Sequence, residues 1–512
     1  MNNQWQPHAA ALAEGLSFRE LAEGLGHLDM GSVDDVEIMG VCDDSRHAQP
    51  GYAMLCLPRS ESKATQFAEA AREQGVTAIV SVGVSMDTEL PHLHLESIDQ
   101  AGQLLRRMFK TEQAGTRLYG ITGTDGKTSV AWMLRESLAR YQGEPVWSTG
   151  TLGWMRGTND ICDIGNTTPS LLTMHAMLTD ACNEGVYAVV SEISSHGIAQ
   201  GRIAGLDFKT ALWTNMGPDH LQDHGGYEPY LETKAGFIRH CAEQGGSVIA
   251  NADHADIRDR APDGGFWYGR GVDCDGVDLG WEQELPGMLR LCSGGEEVVV
   301  EDIPIGDFHA ENIACVALTL MVSLGIRLQA LPELLTGITA PPGRMEDVAA
   351  GYGQVFIDYA HTPEALERCL KAARKLVRNR LIVVFGCGGE RDREKRPQMG
   401  GIAAEFADVV WITSDNPRGE LPAVIASEIE AGMAQPYRVE LHLQLDRELA
   451  IAEAVEALNE GDILVIAGKG HEAYMEVCGR RTSWSDSEVA ERFLHRKHPG
   501  TGVFFEGVRE CA

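Results

Sequence analysis

Basic residues are scarce in this chain. Its 43 lysines and arginines face 75 aspartates and glutamates, a formal net charge of −32. Such a surface repels nucleic acid and anionic membranes, so an anionic ligand must be drawn by a local positive site. The twelve cysteines include no C-x-x-C pair. In a chain of this size that argues for buried, reduced thiols and a cytoplasmic protein, against a disulfide framework or a zinc site. No apolar run approaches the roughly 20 residues that span a bilayer; runs such as DILVIAG are strand-sized. The opening MNNQWQPHAA lacks the basic-then-apolar pattern of a secretory signal. There is no internal repeat and no low-complexity tract. What remains is an ordinary globular composition, 44% apolar and 23% charged, with length for roughly three domains at about 150 residues each.

Strand and helix patterns alternate along most of the chain. KATQFAEAAREQG reads as a helix and VTAIVSV as a strand. After about residue 112 the alternation becomes regular. RLYGI, VYAVVS and TALWTNM read as buried strands and KTSVAWMLRESLARYQ as a helix. TAPPGRMED, near residue 340, is a Pro/Gly break that suits a domain boundary. Beyond it QVFIDYA, LIVVFG, DVVWITS and DILVIAG are apolar runs separated by helical stretches. This is the pattern of βαβ units in an α/β fold with parallel sheets, whose ligands sit beyond the carboxyl ends of the strands. The expected domains are 1–112, 113–340 and 341–512.

GITGTDGKTS follows a strand and opens a helix, the setting a phosphate-binding loop requires. Gly123 and Gly126 let backbone N–H groups approach phosphate oxygens, and Thr124, Asp125 and Ser129 complete the loop. The helix N-terminus adds partial positive charge. Lys127 would reach the β/γ-phosphates of ATP and Thr128 would hold Mg²⁺. The spacing departs from G-x-x-x-x-G-K-[ST], because Ile121 stands at the first glycine position. Glu192 ends the strand of VVSEISSHG, and TNMGPDHLQDHGGYEPYLETK supplies Asp219, His220 and Lys234. A carboxylate and an imidazole at adjacent strand ends can both address a metal on the triphosphate.

TGTDGKTS, EISSHG, DHLQDHG…ETK, PPGRMED, DYAHTPEAL, FGCGGERDREKRP, TSDNPRGE and AGKGHE, in this order over residues 44 to 490, together resemble the Mur ligases of peptidoglycan synthesis, most closely those of the tripeptide-synthetase, or MurE, type. The resemblance implies three domains: one for the UDP-sugar, a central P-loop ATPase-type sheet, and a C-terminal Rossmann-like domain that brings the incoming amino acid. It implies ATP-driven amide formation on UDP-N-acetylmuramoyl-L-alanyl-D-glutamate, in a cytoplasmic enzyme we expect to be a monomer. It implies that Lys234 is carbamylated and joins Thr128, Glu192 and His220 around Mg²⁺. Gln222 and Asp223 depart from the family's usual Asp and aromatic. Ser45 and Arg46 match the uridine site, although the glycine-rich continuation after Pro58 is missing. Asn166, Thr167, Thr168, Ser194, Gln200 and Arg202 match positions that hold the UDP-sugar dipeptide. Asn312 and Arg344 match positions closing on ATP, and Asp358, Tyr359 and His361 match the third domain's part of that site.

For the incoming amino acid, meso-diaminopimelate carries a second carboxylate, and arginine offers a carboxylate two parallel donors. Arg418 in DNPR supplies such a fork on a proline turn. The resemblance adds Asp415 and Asn416 beside it, Arg391 on another carboxylate, and Gly468 and Glu472 at the distal end. A competing reading has Arg418 merely ion-paired with Glu420 on the surface. Alternatives for the whole chain are a MurE-like ligase adding L-lysine or another amino acid, or one recruited to a secondary pathway. A MurF-type ligase or a folylpolyglutamate synthetase is disfavoured by DNPR and GKGHE. A non-catalytic nucleotide-binding regulator should lack one of Lys127, Glu192, His220 or Lys234.

Overall fold

The run Leu381–Phe385 is buried at every position, as are Ile463–Ala467, Val409–Ile412 and Ala188–Glu192. Strands covered on both faces carry unbroken apolar sequence, which is why these runs were legible as parallel strands. In the computed structural model each stands inside a sheet flanked by helices. The structure describes residues 8–57, 61–84, 86, 88–111, 115–157, 160–217, 221–272, 276–348, 354–433 and 439–497.

The chain forms two compact units. One comprises Met1–Trp281, Leu291–Val298 and Glu311–Leu335, the other Glu282–Arg290, Val299–Ala310 and Thr336–Ala512. The first unit holds a six-stranded sheet and the parallel centre of an eleven-stranded one. A six-stranded mixed sheet is ordered Ala9–Ser17, Glu37–Cys42, Tyr52–Cys56, Ala78–Val82, His92–Leu95, His27–Asp29. The larger sheet has a parallel centre ordered Trp147–Gly150, Ala188–Glu192, Arg117–Thr122, Thr210–Trp213, Ser247–Asn251, Phe266–Arg270. Leu171, Leu172 and Ala204 pack into the core beneath the smaller sheet. Ser170 Oγ donates to Asp43 Oδ2 at 2.6 Å, and Arg106 pairs with Asp207 at 2.5 Å.

The second unit is built on a six-stranded sheet ordered Arg344–Val348, Gln354–Asp358, Ile463–Ala467, Leu381–Phe385, Val409–Ile412, Glu440–Leu443. All neighbours are parallel except Arg344–Val348, which runs antiparallel on one edge. Asp358 pairs with Ala467 and Phe385 with Ile412, so the carboxyl ends of these four strands form one rim. Among the described residues nine cysteines are free. Cys292 is disulfide-bonded and departs from the reduced-thiol expectation. The helix Asp307–Leu324 is long and apolar enough to cross a membrane, but 61% of its apolar window is buried inside the protein.

Candidate active site

The phosphate loop stands between the strand Arg117–Thr122 and the helix Lys127–Gln142, the span read from the sequence. Gly123 has φ 144°, and a Cβ there would lie 2.0 Å from Thr214 Oγ1, so only glycine lets the loop pass. Asparagine and threonine side chains from the next strand end fix the turn. Asp125 N donates to Asn215 Oδ1 (2.8 Å) and Thr214 Oγ1 to Asp125 O (2.6 Å). Thr124 Oγ1 bonds Gly217 O and the Tyr230 hydroxyl, both at 3.2 Å. Ser129 is buried in the first helical turn, and Asn312 Oδ1 would stand 2.6 Å from a Cβ on Gly126. Lys127 Nζ donates to Gly123 O and Thr124 O at 2.8 Å each. Lys234, 1% exposed on the helix Tyr227–Glu243, donates to the same Gly123 O at 2.8 Å and lies over the Tyr230 ring. Two lysines thus converge on one loop carbonyl.

Glu192 ends the neighbouring strand and is 2% exposed. Its carboxylate accepts from Thr128 Oγ1 (2.9 Å), Thr151 N (2.8 Å) and Thr151 Oγ1 (3.1 Å). Thr168 links this strand end to the following turn: its hydroxyl donates to Glu192 O (2.9 Å) and accepts from Ser194 N (2.8 Å). Arg202 Nη1 donates to Thr168 O (2.6 Å) and Nη2 to Gln200 Oε1 (2.7 Å). Thr167 approaches Thr151, and Asn166 is exposed on the same loop. Ser45 and Arg46 lie in a single 3₁₀ turn, where Arg46 pairs with Asp44 at 2.5 Å. Asp219 and His220 lie outside the described residues.

On the rim of the second unit, Asn416 Nδ2 donates to Glu472 Oε2 (2.9 Å) and its Oδ1 accepts from Glu476 N (2.8 Å). Lys469, fully buried, lies 3.2 Å from both Asn416 Oδ1 and Glu472 Oε2 and 4.0 Å from Asp415. A Cβ on Gly468 would meet Asp415 Oδ2 at 2.9 Å. Beside these, the Arg344 guanidinium lies 4.6 Å over the Tyr359 ring. Asp358 accepts from Met345 N and Ala360 N at 2.8 Å; burial pushes its carboxyl up while Arg344 pulls it down. Burial takes His471 down to about 4, so it presents a neutral imidazole at neutral pH, whereas His361 stands at the surface with its Nδ1 2.8 Å from Tyr359 O. Arg447 and Asp486 form a fully buried ion pair, and Arg447 also donates to Ser414 O (3.2 Å) and Ala467 O (3.0 Å). It thereby clips together the strand ends that carry DNPR and GKGHE.

The surface pairing of Arg418 with Glu420 does not occur. Arg418 Nη1 donates to Gly389 O at 2.8 Å, and its Nε lies 3.9 Å from Glu476. Glu420 is held instead by Arg396, whose Nη1 and Nη2 each donate to one carboxylate oxygen at 2.9 Å. Arg396 holds the Glu420 carboxyl at about 2, against an ordinary 4.5. A carboxyl lowered on folding stabilises the protein above its unfolded value, and that contribution is lost as pH falls through the folded value. As pH drops from 4.5 toward about 2, the wild-type Tm is expected to fall more steeply than that of Glu420→Gln. Parallel pH–Tm curves for the two proteins would contradict the ion pair.

Comparison with known proteins bears on what these clusters belong to. The Mur ligase middle domain matches residues 121–273, and the Mur ligase glutamate ligase domain matches residues 343–470. A UDP-N-acetylmuramoyl-L-alanyl-D-glutamate--2,6-diaminopimelate ligase from Gloeobacter violaceus is 35% identical over 479 residues, covering 92% of this chain and 96% of the relative. The enzyme of that name from Xylella fastidiosa is 36% identical over 482 residues, 91% and 96%. The chain belongs to the Mur ligase family. A solved structure of a ligase with the same name superposes with a TM-score of 0.70 at 29% identity, covering 95% of this chain and all of that one. The MurF ligase from Thermotoga maritima in complex with ADP, at 19% identity and a TM-score of 0.61 over 89% and 98% of the chains, shares the fold.

In this Mur ligase the phosphate loop, Glu192, Lys234 and the Thr168–Arg202 turn come together in the first unit. Asp415, Asn416, Arg418, Gly468, Glu472 and Arg391 gather on the rim of the second. Sequence reasoning passed over Thr151, Thr214, Asn215, Tyr230, Lys469, Arg396 and Arg447. Lys469 stood in plain view between two glycines of GKGHE. The others carry no local signal, because their hydrogen-bond partners are distant in the chain.

Proposed function

We propose that this chain is an ATP-dependent ligase that adds meso-diaminopimelate to UDP-N-acetylmuramoyl-L-alanyl-D-glutamate in cytoplasmic peptidoglycan precursor synthesis. The observation that carries the reading is the pair of sites: a phosphate loop with two converging lysines and a buried carboxylate, and an arginine-bearing rim with Asn416, Lys469 and Glu472. The names of the similar ligases support the same substrates. We read the three main sheets as the three domains, 1–112, 113–340 and 341–512.

The terminal carboxylate of the UDP-dipeptide attacks the γ-phosphate of ATP, giving an acyl phosphate and ADP. Lys127 neutralises charge on the transferring group, so catalysis is mostly positioning and electrostatics. The amine of the incoming amino acid then attacks the acyl carbon. A tetrahedral intermediate forms and expels phosphate, leaving the amide. The Thr128 hydroxyl and Glu192 carboxylate are hard oxygen donors 2.9 Å apart beside the loop, a fit for Mg²⁺. No group of three His, Cys, Asp or Glu side chains gathers among the described residues. Mg²⁺ keeps waters and phosphate oxygens, so one or two protein ligands suffice. When bound, Mg²⁺ supplies further neutralisation of phosphate charge. Carbamylation of Lys234 would turn a buried cation into an anion able to join that site. His220 is retained as a further ligand candidate.

On the rim, Arg418 would take the second carboxylate of meso-diaminopimelate and Arg391 the other, with Asn416 and Glu472 on the amino groups. Among the described residues no carboxylate occupies Arg418 at hydrogen-bond distance, and its backbone sits at φ 50°, a left-handed conformation held by the turn. Arg418→Ala is expected to raise KM for meso-diaminopimelate by roughly ten- to a hundredfold and to leave KM for ATP in place. Steady-state kinetics with both substrates varied makes the check. Unchanged use of meso-diaminopimelate would remove Arg418 from the scheme.

A further inference from the structure

The two loops that carry Arg391 and Arg418 are stitched to one another. Gly389 N donates to Asn416 O at 2.9 Å, and Arg418 Nη1 donates back to Gly389 O at 2.8 Å. The loops touch at Gly388 and Gly389: a Cβ on Gly389 would lie 2.0 Å from Pro417 O, and one on Gly388 would meet both Arg418 Nη1 and Arg391 Cγ within 4 Å. Each loop holds a non-glycine residue in the left-handed region, Glu390 at φ 54° and Arg418 at φ 50°. Such conformations persist only where surrounding contacts over-determine them.

Those contacts converge on one side chain. Arg396, in the first turn of the helix Lys395–Phe406, is fully buried. It grips the DNPRGE loop through a two-pronged bond to Glu420 and the GGERD loop through Nη2 to Gly388 O at 3.2 Å. Glu420 in turn accepts from Glu390 N at 2.5 Å. Arg396 Nη1 also donates to Glu428 Oε2 at 2.6 Å. Neither Arg396 nor Glu420 belongs to the group that meets the amino acid in our reading.

We propose that Arg396, clamped on Glu420, is the positioning residue that fixes the spacing of Arg391 and Arg418 and so sets the preference for an amino acid with a second carboxylate. The inference rests on the reading of Arg391 and Arg418 as carboxylate-binding residues. Two guanidinium groups can hold a diacid only at one separation, whereas an amino acid with a single carboxylate is indifferent to it. Arginine is needed at the hub because only its planar fork meets both Glu420 oxygens and a carbonyl at once.

Kinetics of Arg396→Lys and Glu420→Gln test this, with meso-diaminopimelate, L-lysine and ATP each varied, beside Arg418→Ala and an Arg393→Ala control. Displacement of binding groups by about an ångström costs up to roughly a hundredfold. Arg396→Lys and Glu420→Gln are therefore expected to raise KM for meso-diaminopimelate about tenfold or more and to lower its preference over lysine by the same factor. The saturated kcat and KM for ATP should stay within about twofold. Arg393→Ala, which removes only the exposed partner of Glu428, should match the wild type. Should Arg396→Lys fail to fold, Glu420→Gln carries the test. A fall in Tm with an unchanged meso-diaminopimelate-to-lysine ratio in Glu420→Gln would overturn the proposal while Arg418→Ala still shows the expected loss. An unchanged ratio in Arg418→Ala as well would overturn both the proposal and the reading beneath it.

Discussion

Replacing Lys127 by alanine is expected to lower ATP-dependent ligation by about a thousandfold or more, with ADP release falling in step. Lys127 is the first residue of the phosphate-loop helix, and its ammonium curls back to two loop carbonyls at 2.8 Å. It is the cation placed to follow charge onto the transferring phosphoryl group, and such donors act most strongly in a water-poor site. The loop itself is held by Thr214, Asn215 and Tyr230, so the substitution leaves its shape in place and removes the charge. Coupled assays of ADP and amide product would show both losses. Turnover within about tenfold of the wild type would show that Lys127 does not serve the phosphoryl transfer.

Lys234→Ala is expected to cost about two to three orders of magnitude in rate. The position is 1% exposed, packed on Tyr230 and bonded to Gly123 O. Truncating a buried long side chain also leaves a cavity, so Tm is expected to fall, by an amount that depends on how far the site collapses. Chemical rescue separates the two states of the residue. If it acts as a carbamate, acetate or formate should restore part of the activity at a given Tm. If it acts as a free ammonium, methylammonium should do so and the carboxylates should not. Rescue by the amine alone would remove the carbamate from the scheme.

The strands and the phosphate loop were legible because burial on both faces writes continuous apolar runs, and because glycine, lysine and a hydroxyl at a strand–helix junction have few other uses. The edge strand Glu440–Leu443 and the hairpin Tyr474–Val477 with Arg480–Ser483 were not, since none of their residues is fully buried and they carry charged residues. Motif residues could be placed singly, but their partners could not. Arg396 finds Glu420 and Arg447 finds Asp486 across intervening helices and strands, and a charge pair of that kind leaves no period in the sequence. Arg418 illustrates the difference. The sequence left Glu420 as a competing partner for it; in the folded protein Arg396 occupies that carboxylate, and the Arg418 guanidinium is left turned toward Gly389 and Glu476.

The most direct test is ligation by the purified protein with ATP, Mg²⁺ and UDP-N-acetylmuramoyl-L-alanyl-D-glutamate, offering meso-diaminopimelate or L-lysine and following amide product, ADP and phosphate together. A site built around a second carboxylate leaves its guanidinium unpaired with lysine, so meso-diaminopimelate is expected to be favoured by about a hundredfold or more in kcat/KM. Equal or greater use of lysine would contradict the amino-acid assignment, and no amide with either would contradict the ligase.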